Sequence, residues 1–332
     1  MKKIKLAING FGRIGRSAFK IALNNKNVEV VAINDLADTK TLAHLLKYDT
    51  AYSRFGKKVS FDSGHLIVNS KKIKVYAIKD PSKLPWKELK VEVVLECTGV
   101  FRTKDSAGLH LKAGAKRVVI SAPAKGEGVQ GFVYGVNSDK YKNEKIIDTA
   151  SCTTNCAGPV VDVINRKFQI EKGFLTTIHS YTADQNLQDG PHKDLRRARA
   201  AAQNIVPTST GAAIAVTQVI PELAGKFDGM AVRVPTITGS LTDFTFLLKS
   251  PATVEGINSA LIRASKTYLK GILSTTDEPL VSSDFIGDAH SAIVDLSLTK
   301  VLGGNLVKVV AWYDNEWGYA NRLVDMAIII NK

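Results

Sequence analysis

The stretch ASCTTNCAGP (Ala150 to Pro159) sets two thiols, Cys152 and Cys156, four residues apart among Ser, Thr and Asn. That composition is too polar for a core strand. An apolar strand-like run, Lys145 to Ile147, precedes it, and Ala157, Val160, Val161 and Ile164 follow with helical spacing. Cys152 is therefore expected at or near a helix N-terminus, where unpaired N–H groups and the helix dipole favour a thiolate, the nucleophilic form. Ser151, Thr153 and Thr154 add hydroxyl donors suited to an anion. A small buried cysteine with polar neighbours looks the same locally, so a second element must decide. Phe174 to Ile178 reads as a strand delivering His179, whose imidazole titrates near neutrality and suits a thiol as base or ion-pair partner. Sequence order leaves open whether the two side chains meet.

A second constellation is Gly10-Phe-Gly12-Arg-Ile-Gly15, with Asp35 twenty residues after the third glycine. It lies between a short apolar strand (Lys5 to Asn9) and a helical pattern (Gly12 to Leu23), and Asp35 follows the strand Val28 to Ile33. Glycines in that place allow a tight turn and let backbone N–H groups approach a pyrophosphate at the helix start. The flanking strand, helix and acid turn a weak motif into a dinucleotide site. Asp35 can accept from ribose hydroxyls and would repel a 2′-phosphate, which favours NAD over NADP.

These groups need a scaffold, and the first half supplies alternating strand and helix. Further strands are expected at Val91 to Cys97 and Arg117 to Ser121, separated by a helix ending at Gly114. The expected fold class is α/β, a doubly wound (Rossmann) parallel sheet with a second α+β catalytic domain. Val59 to Ala77 breaks the pattern with short alternating strands and a turn at Asp62 to Gly64, as a hairpin inserted in the sheet would. Thr98-Gly99 lies at a strand's carboxyl end, where such sheets meet ligands.

The chain has 332 residues, 45% hydrophobic, enough for two domains. Its start, MKKIKLAINGFGR, lacks a sustained apolar run and a cleavage signature, and no run approaches a membrane span. Three cysteines in so long a chain do not make a disulfide scaffold, and a cytoplasmic protein is expected. The net charge is +14, from 45 Lys and Arg against 31 Asp and Glu, but the lysines are scattered and the densest basic run is LRRAR (Leu195 to Arg199). This reads as a solvated surface that helps attract phosphorylated ligands, with nucleic-acid binding not the main role. Cys97 reads as core, Cys156 as structural, and Trp312 and Trp317 as packing. His44, His65, His110, His192 and His290 show no ligand spacing and read as surface or structural, and no metal is expected.

INGFGRIGR, ECTGVF (Glu96 to Phe101), ISAPAK (Ile120 to Lys125), ASCTTNCAGP, TTIHSYTADQ (Thr176 to Gln185), HKDLRRARAAA, PTSTGAA (Pro207 to Ala213), RVPT (Arg233 to Thr236) and WYDNEWGY (Trp312 to Tyr319) together resemble the phosphorylating glyceraldehyde-3-phosphate dehydrogenase family, bacterial type, from end to end. The resemblance implies an NAD-binding domain of residues 1–151 and 316–332, a catalytic domain of 152–315, and a homotetramer with the loop near 180–203 at an interface. It implies Cys152 as nucleophile and His179 as base. Asn9, Gly10, Gly12, Arg13, Ile14, Gly15, Asp35, Thr98, Gly99, Ser121 and Asn315 would contact NAD, Asn315 fixing the carboxamide. Thr182 and Arg233 would hold the substrate phosphate. Ser151, Thr153, Thr210 and Gly211 would hold inorganic phosphate, with an arginine of LRRAR, Arg197 in preference to Arg196 or Arg199.

The implied reaction converts glyceraldehyde 3-phosphate, phosphate and NAD into 1,3-bisphosphoglycerate. Thiolate addition makes a hemithioacetal that can lose hydride, and the resulting thioester keeps the oxidation energy for phosphate attack. An erythrose-4-phosphate dehydrogenase shares the Cys and His motifs but departs around Ser209-Thr210-Gly211. A basic nucleotide-fold protein with nucleic-acid or surface partners is the alternative from another class.

Overall fold

The first-half strands are short runs of β-branched residues buried on both faces, as a sheet covered by helices on each side requires. In the computed structural model, which describes residues 3–331, β1 (Ile4–Asn9), the helix α1 (Arg13–Asn24) and β2 (Val28–Asn34) form the first βαβ unit, with β1 and β2 parallel. Strand Val93–Glu96 pairs parallel with β1 on its other side, followed outward by Arg117–Ile120, Ile146–Asp148 and Gln130–Gly131. Beyond β2 the sheet continues through Lys71–Tyr76, His65–Val68 and Val59–Asp62, nine strands in all.

The irregular segment is therefore three strands appended at the sheet edge, with no hairpin inserted in its interior. Lys71–Tyr76 pairs parallel with β2, and the other two run antiparallel beyond it. Asp62 makes the turn by accepting from Gly64 N and from the His65 ring. Strand Val93–Glu96 stops one residue short of Cys97, which is half-buried and lies on a cavity wall, not in the core. Cys97 N still donates to the Asn9 carbonyl at 2.7 Å, and just beyond it the Glu96 carboxylate takes the Thr98 N–H at 2.8 Å as the chain turns out of the ladder.

Two compact units result. One comprises 1–132, 140–150 and 320–332, the other 133–139 and 151–319. Residues 133–139 thus go with the second unit, and the helix Trp317–Ile329 is divided between the two. Residues 1, 2 and 332 of the expected ranges lie outside the described residues. No helix among the described residues is long and apolar enough to cross a membrane.

The second unit centres on a mixed sheet ordered Val206–Ser209, Phe227–Val234, Ile170–Ser180, Ser240–Leu248, Leu306–Tyr313, Ala292–Asp295, Leu273–Thr276. Ile170–Ser180 runs parallel to Phe227–Val234 and antiparallel to Ser240–Leu248. Its side chains alternate: Leu175 is buried opposite Phe244 of the neighbouring strand, whereas Phe174 is 65% exposed on the opposite face. Helix Cys152–Phe168 is buried along nearly its whole length, with Val160, Val161 and Ile164 fully covered. Burial at that density, roughly 1.5–3 kcal/mol per large apolar side chain, is what holds the helix start in place.

The glycine turn of the first unit follows from space. Gly10 adopts φ +91°, and a Cβ on Gly15 would lie 2.0 Å from the Gly10 carbonyl oxygen. Gly15→Ala is expected to destabilise the protein by roughly 1–3 kcal/mol through overpacking and to weaken dinucleotide binding. A urea melt and an NAD titration check this, and wild-type values for both would exclude the contact.

Candidate active site

Ser151 is extended (φ −106°, ψ 166°) and its Oγ accepts from Thr154 N at 3.1 Å. That cap makes Cys152 the first residue of helix Cys152–Phe168. His179 sits one residue from the end of strand Ile170–Ser180, in register with Arg233 on the parallel neighbour. The two elements bring Cys152 Sγ within 3.3 Å of His179 Nε2. His179 Nδ1 lies 2.6 Å from the Ser180 carbonyl. Where Nδ1 gives its proton to that carbonyl, Nε2 is the acceptor that faces the sulfur; where Nδ1 accepts from Arg233, Nε2 carries the proton toward it. Arg233 Nη1 donates to the same carbonyl at 3.0 Å and lies 2.8 Å from Nδ1.

Burial pushes the Cys152 thiol up, opposed by the Arg233 charge, the Thr153 hydroxyl and the N–H groups of Thr153 and Cys152 itself. Burial and then Arg233 pull the imidazole down to about 3, with the Ser180 carbonyl acting the other way. Neither charge is favoured alone. Moving the proton from Sγ to Nε2 creates both at once, and opposite charges at such range attract by on the order of 4 kcal/mol in a medium of intermediate polarity. The thiolate expected from the helix start is thus a property of the pair.

Beneath the pair lie side chains that the sequence pattern does not single out. Tyr313 Oη meets Thr153 Oγ1 at 3.0 Å and Thr177 Oγ1 at 2.7 Å, and its ring packs edge-on to His179 with centroids 6.0 Å apart. Ser240 Oγ accepts from Ser180 N at 3.1 Å and donates to Asn315 Oδ1 at 2.9 Å. Gly239 N also donates to that oxygen at 3.2 Å, and the Thr238 hydroxyl, 3.3 Å from it, shares its one proton with Asp314 Oδ1 at 3.1 Å. Donors on Oδ1 leave the Asn315 amide N–H groups for another acceptor. Ser240 thereby ties the peptide beside His179 to Asn315 within one unit. Tyr313 lies within WYDNEWGY, which was the available signal for it; for Ser240 there was none.

The other expected anion-binding residues are less uniformly placed. Arg197 donates to Asp184, to Thr208 Oγ1 at 2.9 Å and to the Ser209 carbonyl at 3.0 Å, which leaves two of its five N–H groups. Its charge reaches both His179 and Arg233. Arg199 pairs instead with Asp189, and Arg196 lines a shallow surface with Pro207 and Met230. Thr153 is turned to Tyr313 and Ser151 to Thr154. Thr210 Oγ1 accepts from Ala212 N at 3.1 Å, and Gly211 precedes helix Ala212–Val219 with no side-chain cap. Thr182 takes Gln185 N on its carbonyl in the loop after His179. Cys156 is fully buried, its thiol pushed up by burial. Trp312 stacks on Phe285 at 5.2 Å and donates to Asp295.

In the first unit, Asn9, Gly10, Gly12, Asn34, Asp35, Cys97, Thr98 and Phe101 line a cavity of about 410 Å³. Its lining suits the phosphate and ribose of a dinucleotide. A Cβ on Gly12 would meet nothing within 4 Å, and α1 begins without a side-chain cap, so its first N–H groups suit a phosphate. Asp35 accepts from Phe11 N at 2.7 Å and Ala37 N at 2.9 Å, keeping lone pairs for ribose hydroxyls. Ile14, Gly15, Gly99 and Ser121 do not line this cavity, and Arg13 is paired with Asp49 at 2.9 Å.

Fold and site together define a dinucleotide-binding unit and a thiol–imidazole unit in one chain. Residues 4–104 match the family model for the glyceraldehyde 3-phosphate dehydrogenase NAD binding domain, and 151–315 match that for the C-terminal domain. Glyceraldehyde-3-phosphate dehydrogenase 1 of Bacillus subtilis is 54% identical over 331 residues, 99% of this chain and 98% of that protein. The glyceraldehyde-3-phosphate dehydrogenase of Thermotoga maritima is 57% identical over 331 residues, 99% of each. That of Geobacillus stearothermophilus is 53% identical over 329, 98% of each. The chain belongs to the glyceraldehyde-3-phosphate dehydrogenase family.

With His179→Asn the sulfur loses its proton acceptor and keeps its burial. Its pKa then stays above the ordinary thiol value of about 8.5. Inactivation by iodoacetamide at pH 7 should slow by at least about tenfold, with the rate rising only in alkaline solution. An unchanged pH profile would dissociate the pair.

Proposed function

We propose that this chain oxidises D-glyceraldehyde 3-phosphate and joins it to inorganic phosphate, giving 1,3-bisphosphoglycerate, with NAD as cofactor. The observation that carries this reading is the Cys152–His179 contact of 3.3 Å at a helix start, in a chain whose two halves match the two domains of the family. NAD, when bound, supplies the ring that accepts a hydride.

The protein's own groups do the rest. Sγ, deprotonated by His179, bonds to the aldehyde carbon, and the carbonyl oxygen becomes a hydroxyl. His179 then takes that hydroxyl proton as the C–H bond breaks, so the C–O double bond reforms and the carbon is left as a thioester of Cys152. A phosphate oxygen attacks the thioester carbon, and Cys152 departs as thiolate. The Cys152 N–H and the imidazole stabilise the oxyanions on the way.

Arg233, beside His179, suits the substrate phosphate with Thr182. Arg197, Ser151, Thr153, Thr210 and Gly211 serve the attacking phosphate. Two anion sites are needed because one phosphate is carried by the substrate and the other is a reactant, and planar guanidinium groups present paired donors to each. Asn315, its Oδ1 taken by Ser240 Oγ and Gly239 N, offers its amide to the carboxamide; Asn9, Gly10, Gly12, Arg13, Ile14, Gly15, Asp35, Thr98, Gly99 and Ser121 serve the rest of NAD. Ser209-Thr210-Gly211 is intact, which favours this reading over an erythrose-4-phosphate enzyme.

A cytoplasmic homotetramer completes the reading. Phe174, Met230 and Leu306 are exposed at 65%, 41% and 41% on the second unit's sheet, an apolar set that association of copies would cover. Light scattering of the purified protein should give a mass several times 36.0 kDa, and a stable monomer would remove this part.

NADH absorbance should rise with glyceraldehyde 3-phosphate, NAD and phosphate present together, and the steady-state rate should depend on phosphate. Cys152→Ser should lower turnover by at least about 10³-fold. Undiminished turnover in that variant would end the assignment of the nucleophile; a rate indifferent to phosphate would indicate hydrolysis instead.

A further inference from the structure

The first unit contains a buried ionisable pair that the chemistry above does not use. Glu96 and His110 have no exposed side-chain surface, and His110 Nε2 lies 2.9 Å from Glu96 Oε2. Trp86 Nε1 donates to His110 Nδ1 at 3.0 Å. An indole N–H can only donate, so Nδ1 must accept, and the neutral ring carries its proton on Nε2, aimed at Glu96. Trp86 therefore selects the tautomer.

Glu96 gathers three further donors. Asn9 Nδ2 reaches Oε2 at 2.6 Å, while Thr98 N at 2.8 Å and the Thr98 hydroxyl reach Oε1. A buried carboxylate is tolerated when its lone pairs are filled in this way, and removing one donor leaves the others misdirected.

The place of the network gives it a role. Asn9 is in register with Glu96 on one side and with Asn34 on the other, at the carboxyl ends of three adjacent parallel strands. Asn34 Nδ2 donates to Asn9 Oδ1 at 2.7 Å, and Asn34 is itself held by both the N–H and the carbonyl of Ile78. Asn9, Asn34, Ile78 and Thr98 line the cavity that Gly10, Gly12 and Asp35 open onto. His110 and Trp86 do not line it. His110 also packs edge-on against Phe101, which does, with centroids 6.4 Å apart.

We propose that His110, oriented by Trp86, is a positioning residue for the dinucleotide cavity: it holds Glu96, and through Glu96 it holds Asn9 and Thr98 in place before NAD arrives. This rests on the NAD reading of the first unit. A rigid floor lowers the ordering that binding must otherwise impose, so the effect belongs to cofactor affinity rather than to the bond-making steps in the other unit.

The test uses the full chain and NAD alone, by calorimetric titration without aldehyde, together with kcat at saturating NAD and a urea melt. His110→Phe keeps an aromatic ring but removes both nitrogens; it should raise the NAD Kd by at least about tenfold, the worth of a hydrogen bond to a charged group, with kcat within about twofold of wild type. His110→Gln, which restores a donor toward Glu96, should recover most of that loss. Trp86→Phe removes the N–H, together with part of the buried ring, and should raise Kd by about threefold or more. A Kd unchanged in His110→Phe, with stability alone reduced, would make the residue a core filler and overturn the proposal. Should His110→Phe not fold, an unchanged Kd in Trp86→Phe does the same. Wild-type protein failing to bind NAD would remove the NAD reading and this proposal together, whereas variants that bind NAD as tightly as the wild type remove only the positioning role.

Discussion

The chemistry depends on one contact, a sulfur 3.3 Å from an imidazole nitrogen. Each partner resists charge when considered singly, because burial opposes a thiolate and an imidazolium alike. Only their simultaneous ionisation is supported. The fold therefore has to hold two atoms from residues 27 positions apart at one distance, and it does so with rigid parts: a capped helix start on one side and the central strand of a mixed sheet on the other. A loop carrying either group would relax away and leave two neutral, unreactive side chains.

The same logic of holding polar atoms from behind recurs in both units. Asn315 is aimed by Ser240, Gly239 and Thr238, and Ser240 also grips the peptide that orients His179. In the other unit Glu96 collects donors from Asn9, Thr98 and His110. In each case the spare valences of a buried side chain are occupied by its neighbours, so the polar groups around it are fixed in direction.

What was legible in the sequence is what is local. Gly10, Gly12, Gly15 and Asp35 announce themselves because a turn, a close approach and an acid at a strand end are all set within one βαβ unit. Cys152 was readable as a helix start because Ser151 and the apolar spacing after it are adjacent in the chain. Pairings across distance were not. Nothing in the run VEVVLEC says that the chain turns out of the ladder just past its last residue, since the bond from Thr98 N to the Glu96 carboxylate lies outside any hydrophobic pattern. The segment 59–77 has strand alternation that is indifferent to where the strands dock, so edge and interior placements look the same. Arg197 could be chosen over Arg196 and Arg199 only by motif; its partners Asp184, Thr208 and Ser209 are found through the folded loop. His110 and Trp86 are separated by 24 residues, and no periodicity joins an indole to an imidazole.

Net charge illustrates the same division between what composition suggests and what position does. Forty-five cations against thirty-one anions invite a reading in terms of surface attraction, but exposed pairs such as Lys72–Asp62 and Arg199–Asp189 lie in water, where such contacts contribute little. The cation that matters for the sulfur is Arg233, which lies beside His179 inside the second unit and pulls the thiol toward ionisation. Its identity is constrained by its surroundings. Burial lowers the proton affinity of a base that is charged when protonated, and Lys20, buried against Asp49 in the first unit, shows the effect. Guanidinium starts from so high a value that the same penalty leaves it charged, and its planar fork can bond the Ser180 carbonyl while other N–H groups remain for an anion. A lysine there would be the residue most ready to give up its charge at the point where a permanent one is needed.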